Sequence, residues 1–190
     1  AKPVPLMTQM IANGQTGNKG GQGFYRELDA GKEVLDLVSG TYQPTTRIQL
    51  PLAQKAEAHG VAALLDDDSV YGRFAWQVLS STLNYAAALI PEIGSNILPI
   101  DDAMKLGYNW IYGPFELIDQ IGAKRVVERM QKEGRDVAPM LALSAQKEGF
   151  YKVINKQLCS LDDSAEYVAI KRPSGVLRFS ELRQTLTPKY

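Results

Sequence analysis

Residues Ile97–Gly122 read ILPIDDAMKLGYNWIYGPFELIDQIG, and three helix boundaries fall within this short stretch. Asp101 and Asp102 stand at the head of an apolar-periodic run, where carboxylates favour a helix N-terminus. Gly107 predicts the end of that run, because glycine takes a left-handed cap without strain. Gly113-Pro114 predicts a fresh start, with Pro114 at the first helical position and Glu116 in the first turn. Gly122 predicts its stop. Little chain is left for loops, so the stretch predicts short helices laid end to end.

Upstream, Asp66-Asp67-Asp68-Ser69 predicts a helix start. Three adjacent carboxylates suit a divalent cation, but the further ligands and terminal glutamate of a calcium loop are missing, which favours an N-cap. The following helix, residues 70–90, is the longest. Phe74, Val78, Leu79, Leu83, Ala86, Leu89 and Ile90, widened by Trp76 and Tyr85, predict burial on several sides. Residues 50–65 read as a helix interrupted by Gly60, with His59 a solvated helix-end residue. Downstream, Val126, Val127 and Met130 mark one face of a helix over 123–133. Pro139 opens another that Gly149 closes.

The ends of the chain differ from this middle. Residues 3–14 predict a short helix, followed by GQTGNKGGQGFY. Lys19 is followed by Gly20, not by Ser or Thr, and no apolar strand precedes the glycines. Both phosphate-loop fingerprints therefore fail, and a surface loop anchored by Phe24-Tyr25 is predicted. Residues 27–47 read as a connector in which Glu33–Val38 is a short strand or helical turn. Glu166–Ile170 and Val176–Phe179 predict a hairpin joined by residues 171–175, and a polar tail with Pro188 follows. The Gly-Phe-Tyr of residues 23–25 recurs at 149–151, each time after a short helix with Pro and Met, which suggests the ends of two similar helical units.

Lysine plus arginine equal aspartate plus glutamate, 21 against 21, so no basic excess exists for nucleic acid. No apolar run is long enough for a membrane span. Cys159 is the single cysteine, excluding an intrachain disulfide. With His59 in an unrelated segment, a structural thiol is the better reading than a Cys–His nucleophile. A cytoplasmic location is expected.

Ile100-Asp101-Asp102-Ala103-Met104-Lys105-Leu106-Gly107, then Gly113-Pro114-Phe115-Glu116-Leu117-Ile118-Asp119-Gln120-Ile121-Gly122, resemble the helical C-terminal domain of 3-hydroxyacyl-CoA dehydrogenases. That domain carries I-D-x-A-M-x-x-G followed by G-P-F-x-L-x-D-x-x-G. Asn18–Tyr25 resembles the end of the same module. The resemblance implies an all-α bundle of the 6-phosphogluconate dehydrogenase C-terminal-like type with a small terminal hairpin. It implies the tail of a first helical repeat (1–26), a connector with a short helix (27–67), a second repeat (68–152), and a hairpin and linker to a following domain (153–190). It also implies NAD and acyl-CoA as cofactor and substrate of the parent protein in fatty-acid β-oxidation. The partners it implies are an NAD-binding domain, the first repeat and an enoyl-CoA hydratase domain.

In that family the base histidine sits in the dinucleotide-binding domain, and the first repeat opens with Asn-Arg. Here the matching start is Tyr71-Gly72-Arg73-Phe74, and neither G-x-G-x-x-G on a strand nor the family's histidine motif is present. No catalytic, cofactor-binding or metal residue is therefore expected within the chain. Asp101, Gly107, Gly113, Pro114, Phe115, Glu116, Asp119 and Gly122 are expected to be structural.

Glu116 and Asp119 stand three apart on one helix, as an acid–base pair would. The reading adopted has Glu116 serving its own helix start and Asp119 capping or pairing with Lys124 or Arg125. Arg73 and Lys105 read as solvated, and Trp110 and Tyr112 as packing that locks the turn. The alternative to a dehydrogenase domain is a stand-alone helical interaction module.

Overall fold

A computed structural model of the chain describes residues 3–46 and 49–185. It divides into two compact units, Ala1–Gln49 and Leu50–Tyr190. The expected polar tail around Pro188 lies outside the described residues.

In the first unit Pro5 opens helix α1, Pro5–Ala12, and Gly14 follows it at φ 72°. Among its residues only Met10 is buried. The glycine-rich stretch contains one 3-10 turn, Asn18–Gly20, and leads into strands β1 (Tyr25–Leu28), β2 (Gly31–Leu35) and β3 (Tyr42–Pro44). These form an antiparallel meander in the order β1-β2-β3. Of the two forms offered for Glu33–Val38 the strand is the one found, as β2, with β1 and β3 on either side of it. Cross-strand pairs, not an apolar alternation, hold it. Arg26 bridges to Glu33 at 2.7 Å and lies over the Tyr42 ring at 4.1 Å, and the Tyr42 hydroxyl donates to the Gly23 carbonyl at 2.6 Å.

The second unit starts with α2 (Pro51–His59) and α3 (Val61–Leu65), separated by Gly60 at φ 82°. Helix α4, Val70–Ala88, follows. Ser69 is its N-cap and accepts the Gly72 amide at 3.2 Å, as the acidic run before it foretells. Then come α5 (Leu98–Tyr108), α6 (Pro114–Ile121), α7 (Ala123–Lys132) and α8 (Pro139–Lys147). A second antiparallel meander, β4 (Tyr151–Ile154), β5 (Gln157–Leu161) and β6 (Tyr167–Ala169), and helix α9 (Phe179–Thr185) follow.

The core gathers Trp76 and Leu83 of α4, Phe115 and Ile118 of α6, Val126 and Met130 of α7, and Leu141 of α8. Phe150 closes it edge-on against Phe115, with ring centroids 4.8 Å apart. Asn84 on α4 stitches α8 in place, its side-chain oxygen accepting the Ala138 amide at 2.8 Å at a helix start that has no capping side chain of its own.

Three sequence expectations are corrected. The fold is mostly helical but carries two three-stranded sheets, so "all-α with one hairpin" understates its strands. Helix α4 is buried along one stripe only: Gly72, Trp76, Ser80, Leu83, Ala86 and Ala87 are inside, whereas Phe74 is 69% and Tyr85 66% exposed. The expected hairpin also has different members. Residues 166–170 do hold β6, but it pairs with β5, while the stretch from Val176 forms no strand and enters α9. The real hairpin joins β4 to β5 through Asn155-Lys156 at φ 50° and 64°, the geometry of a type I′ turn. No helix among the described residues is long and apolar enough to cross a membrane.

Candidate functional site

Helix α6 begins with backbone amides that no preceding helical turn can satisfy. Pro114 removes one by having no N–H. Glu116 turns back to accept the Gly113 amide at 2.9 Å. Asp101 supplies the rest from α5: its carboxylate accepts Phe115 N–H at 2.9 Å and Glu116 N–H at 3.1 Å. It also accepts the Tyr151 hydroxyl at 2.7 Å, so one carboxylate with no solvent exposure ties α5, α6 and β4 together. Asp101 thus lies in the first turn of its own helix, as the Asp-Asp pair foretells, while its carboxylate caps the next one. Gly113 is required by this proximity, because a Cβ there would run into the Asp101 carboxyl group and Cα.

One turn further along α6, Asp119 performs a second capping. Its carboxylate accepts Phe150 N–H at 2.7 Å and Tyr151 N–H at 2.8 Å. The expected partners are engaged elsewhere, Lys124 with Glu128 at 3.9 Å and Arg125 with Asp66. Gly149 precedes these amides at φ 131°, and a Cβ there would stand 3.1 Å from the Asp119 carboxylate.

Electrostatics follow from this burial. Burial outweighs the hydrogen bonds and pushes Asp101 up to about 7 and Asp119 up to about 6, with the nearby Glu116 charge adding to both. Tyr151 is held well above the usual phenol range, first by burial and then by Asp101.

Around this lock runs a chain of ion pairs. Lys105 meets Glu116 at 2.5 Å and Asp102 at 3.8 Å. Asp102 also receives Arg172 at 2.5 Å and Arg178 at 2.9 Å, and Arg172 continues to Glu181 on α9 at 2.5 Å. A cavity of about 370 Å³ lies against the lock, bordered by Lys105, Tyr112, Glu116, Asp119, Tyr151 and Gln184.

The structure brings Asp101, Gly113, Pro114, Phe115, Glu116 and Asp119 together at one helix start. Gly107 stays apart: α5 runs on through Tyr108, and Asn109 at φ 57° takes the left-handed cap expected of Gly107. Gly122, at φ 98°, ends α6 as expected. Lys105 is an ion-pair member and not a solvated cation. Tyr112 is 45% and Ile111 84% exposed, so the turn is not locked by Tyr112 packing. Arg73 donates to the Asp68 carbonyl, and His59 is exposed at the end of α2. Cys159 is buried in β5.

Sequence reading missed Tyr151 and Arg172. The recurrence of Gly-Phe-Tyr was the available signal for Tyr151. Arg172 carried none, because its partner Asp102 lies 70 residues away.

Chemically, three of the four carboxylates on α5 and α6, Asp101, Glu116 and Asp119, are engaged with backbone amides, and Asp102 is held by Lys105, Arg172 and Arg178. Among the described residues no buried side-chain nitrogen or oxygen lacks a partner, and no cluster of three His, Cys, Asp or Glu residues could hold a metal.

A family model described as 3-hydroxyacyl-CoA dehydrogenase, C-terminal domain, matches residues 72–157. A protein of Bacillus subtilis (strain 168), named as a probable 3-hydroxyacyl-CoA dehydrogenase, is 36% identical over 187 residues, covering 95% of this chain and 24% of that protein. A Rickettsia felis protein named as a fatty acid oxidation complex trifunctional enzyme is 37% identical over 119 residues, 60% of this chain and 16% of its own length. The chain thus spans about a quarter or less of the length of these relatives. No solved structure matches it significantly. The helix starts, the Asp101 and Asp119 fastenings and the family match coincide: residues 72–157 belong to the 3-hydroxyacyl-CoA dehydrogenase C-terminal domain family.

Proposed function

We propose that the chain is the helical part of an NAD-dependent 3-hydroxyacyl-CoA dehydrogenase of fatty-acid β-oxidation, and that alone it does not catalyse hydride transfer. Residues 68–152 act as a helical repeat of the 6-phosphogluconate dehydrogenase C-terminal-like type, and residues 1–26 are the end of an earlier repeat. The unit supports the acyl-CoA cleft from outside the reacting centre, with the NAD-binding and hydratase domains as neighbours in a cytoplasmic parent protein. The family match and the relatives' printed names support the dehydrogenase assignment.

The observation that carries the structural role is the state of the carboxylates. Asp101, Glu116 and Asp119 each hold backbone amides at 2.7–3.1 Å, so a proton placed on any of them would loosen the helix and strand starts that they fasten. NAD does not fit the residues present. Both sheets are antiparallel meanders, and the glycine-rich stretch runs from a helix into a strand, the reverse of a dinucleotide cradle.

The test is NADH formation from 3-hydroxybutyryl-CoA and NAD. The purified 190 residues should give none, and the complete parent protein should give turnover. Turnover by the 190 residues would overturn the structural role, and a silent parent protein would overturn the dehydrogenase assignment.

A further inference from the structure

The chain after β6 is attached in an inverted way. Between Lys171 and Phe179 the apolar side chains point outward, with Leu177 81% and Phe179 76% exposed. The two residues of that stretch that turn inward are Arg172 and Arg178, and both donate to Asp102 on α5. Arg172 also holds Glu181 of α9 at 2.5 Å. These charges are mostly shielded from water, so they attract one another more strongly than an exposed pair does.

Burial does little of the holding. No described residue from Lys171 to Thr185 belongs to the buried core, whose last member along the chain is Leu161. Helix α9 lies on β5 between two hollows. One, of about 250 Å³, reaches toward Ile170 and Leu182, and the other is the cavity of about 370 Å³ against the lock. Leu158 of β5 and Glu181 of α9 border both. A helix packed like a core element leaves no such space on two sides. At seven residues α9 is also too short to persist as a helix once detached.

We propose that residues 171–185 are a charge-held latch over a groove along β5. Asp102 is the catch, and α9 is the groove's own occupant. When the arginines let go, α9 unwinds and the two hollows join into one open groove. Leu98, Ile111, Leu158 and Ile170 line its apolar floor, with Lys105 and Glu116 at the rim. The Asp101 and Asp119 lock stays shut, because none of its hydrogen bonds involves the latch. Opening is therefore local, and it follows ionic strength, since the screening length shrinks from about 30 Å at 0.01 M salt to about 3 Å at 1 M. The latch thus decides when an apolar groove beside the lock is exposed.

Amide exchange in the 190-residue chain tests this. At low salt α9 should exchange at least about tenfold faster in Asp102→Asn than in the unaltered chain, with α6 and β4 unchanged. Raising sodium chloride from about 0.01 M to about 1 M should speed α9 in the unaltered chain and change little in Asp102→Asn. Leu182→Ala trims an apolar contact of α9 and should have the smaller effect. Exchange in α9 that ignores salt, or that is faster in Leu182→Ala than in Asp102→Asn, would show that packing holds the helix and would overturn the latch. A rise in α6 and β4 exchange alongside α9 would overturn it too, because the whole unit would then be opening.

A thiol probe reads the groove itself. Cys159 is the single cysteine and is buried, so Leu158→Cys combined with Cys159→Ala leaves one thiol on the groove floor. Its reaction with iodoacetamide, an uncharged reagent, should quicken with salt in step with α9 exchange. Labelling that stays slow at high salt while α9 exchanges fast would show that no groove opens, and would overturn the inference.

Discussion

Replacing Asp119 by Ala removes a carboxylate whose two oxygens receive the Phe150 and Tyr151 amides at 2.7 and 2.8 Å. Phe150 is fully buried, and its amide donates to the two Asp119 oxygens. Each buried N–H left unpaired costs about 1–3 kcal/mol. An opposing contribution exists, because burial pushes Asp119 up to about 6 and its charge is therefore held at some cost near neutrality. The balance is a loss of roughly 2–4 kcal/mol, which at about 1–3 kcal/mol per molar urea lowers the midpoint by roughly 0.7–4 M. Asp119→Asn keeps one acceptor oxygen and should lose about half as much. Urea titrations followed by tryptophan fluorescence report on the right unit, since the two tryptophans, Trp76 and Trp110, both lie in Leu50–Tyr190. An Ala variant that melts within about 0.3 M of the parent would refute the fastening role, because two orphaned amides cannot be that cheap.

Gly113→Ala should destabilise by about 1–3 kcal/mol, because its Cβ overlaps Asp101, whereas Gly107→Ala meets open space at an ordinary helical φ and should stabilise by up to about 1 kcal/mol; equal midpoints for the two would refute the difference in role. Asp101 and Asp119 are both raised from the ordinary carboxylate value, so the folded state binds protons more readily than the unfolded one. The stability this contributes is complete below about 4 and is lost as pH rises through about 6 to 7. The urea midpoint should accordingly be higher at pH 5 than at pH 8, and flatter with pH in Asp119→Asn; a midpoint that rises with pH would contradict the burial argument. Arg172→Ala breaks the pairs to Asp102 and Glu181 and should speed amide exchange in α9 while leaving α6 unchanged, and unaltered exchange in α9 would show that the pairs do not hold it.

Local punctuation was legible in the sequence. Ser69, Pro114, Pro139 and Gly122 act within a residue or two of themselves, so their chemistry marks helix ends wherever the fold puts them. The destinations of Asp101 and Asp119 were not legible. Their partners are 14 to 50 and 31 to 32 residues away, and nothing in local spacing distinguishes a carboxylate that caps its own helix from one that caps a neighbour. The strands were short and polar, and the turn that defines the second meander is Asn155-Lys156, where a lysine occupies the position usually marked by glycine. The apolar width of α4 misled for a related reason: periodicity counts apolar residues on a face but does not say which face meets a neighbour.

Helices α6 and α7 meet at Gly122 with no further residue between them. The buried faces on either side, Ile118 and Ile121 before it and Val126, Val127 and Met130 after it, are therefore locked in rotational phase. One inserted residue would turn everything after it by about 100°, carrying Met130 toward water and lysine or arginine toward the core. At this joint the count of residues is constrained as tightly as their identity, so substitutions around Gly122 can be absorbed where insertions and deletions cannot.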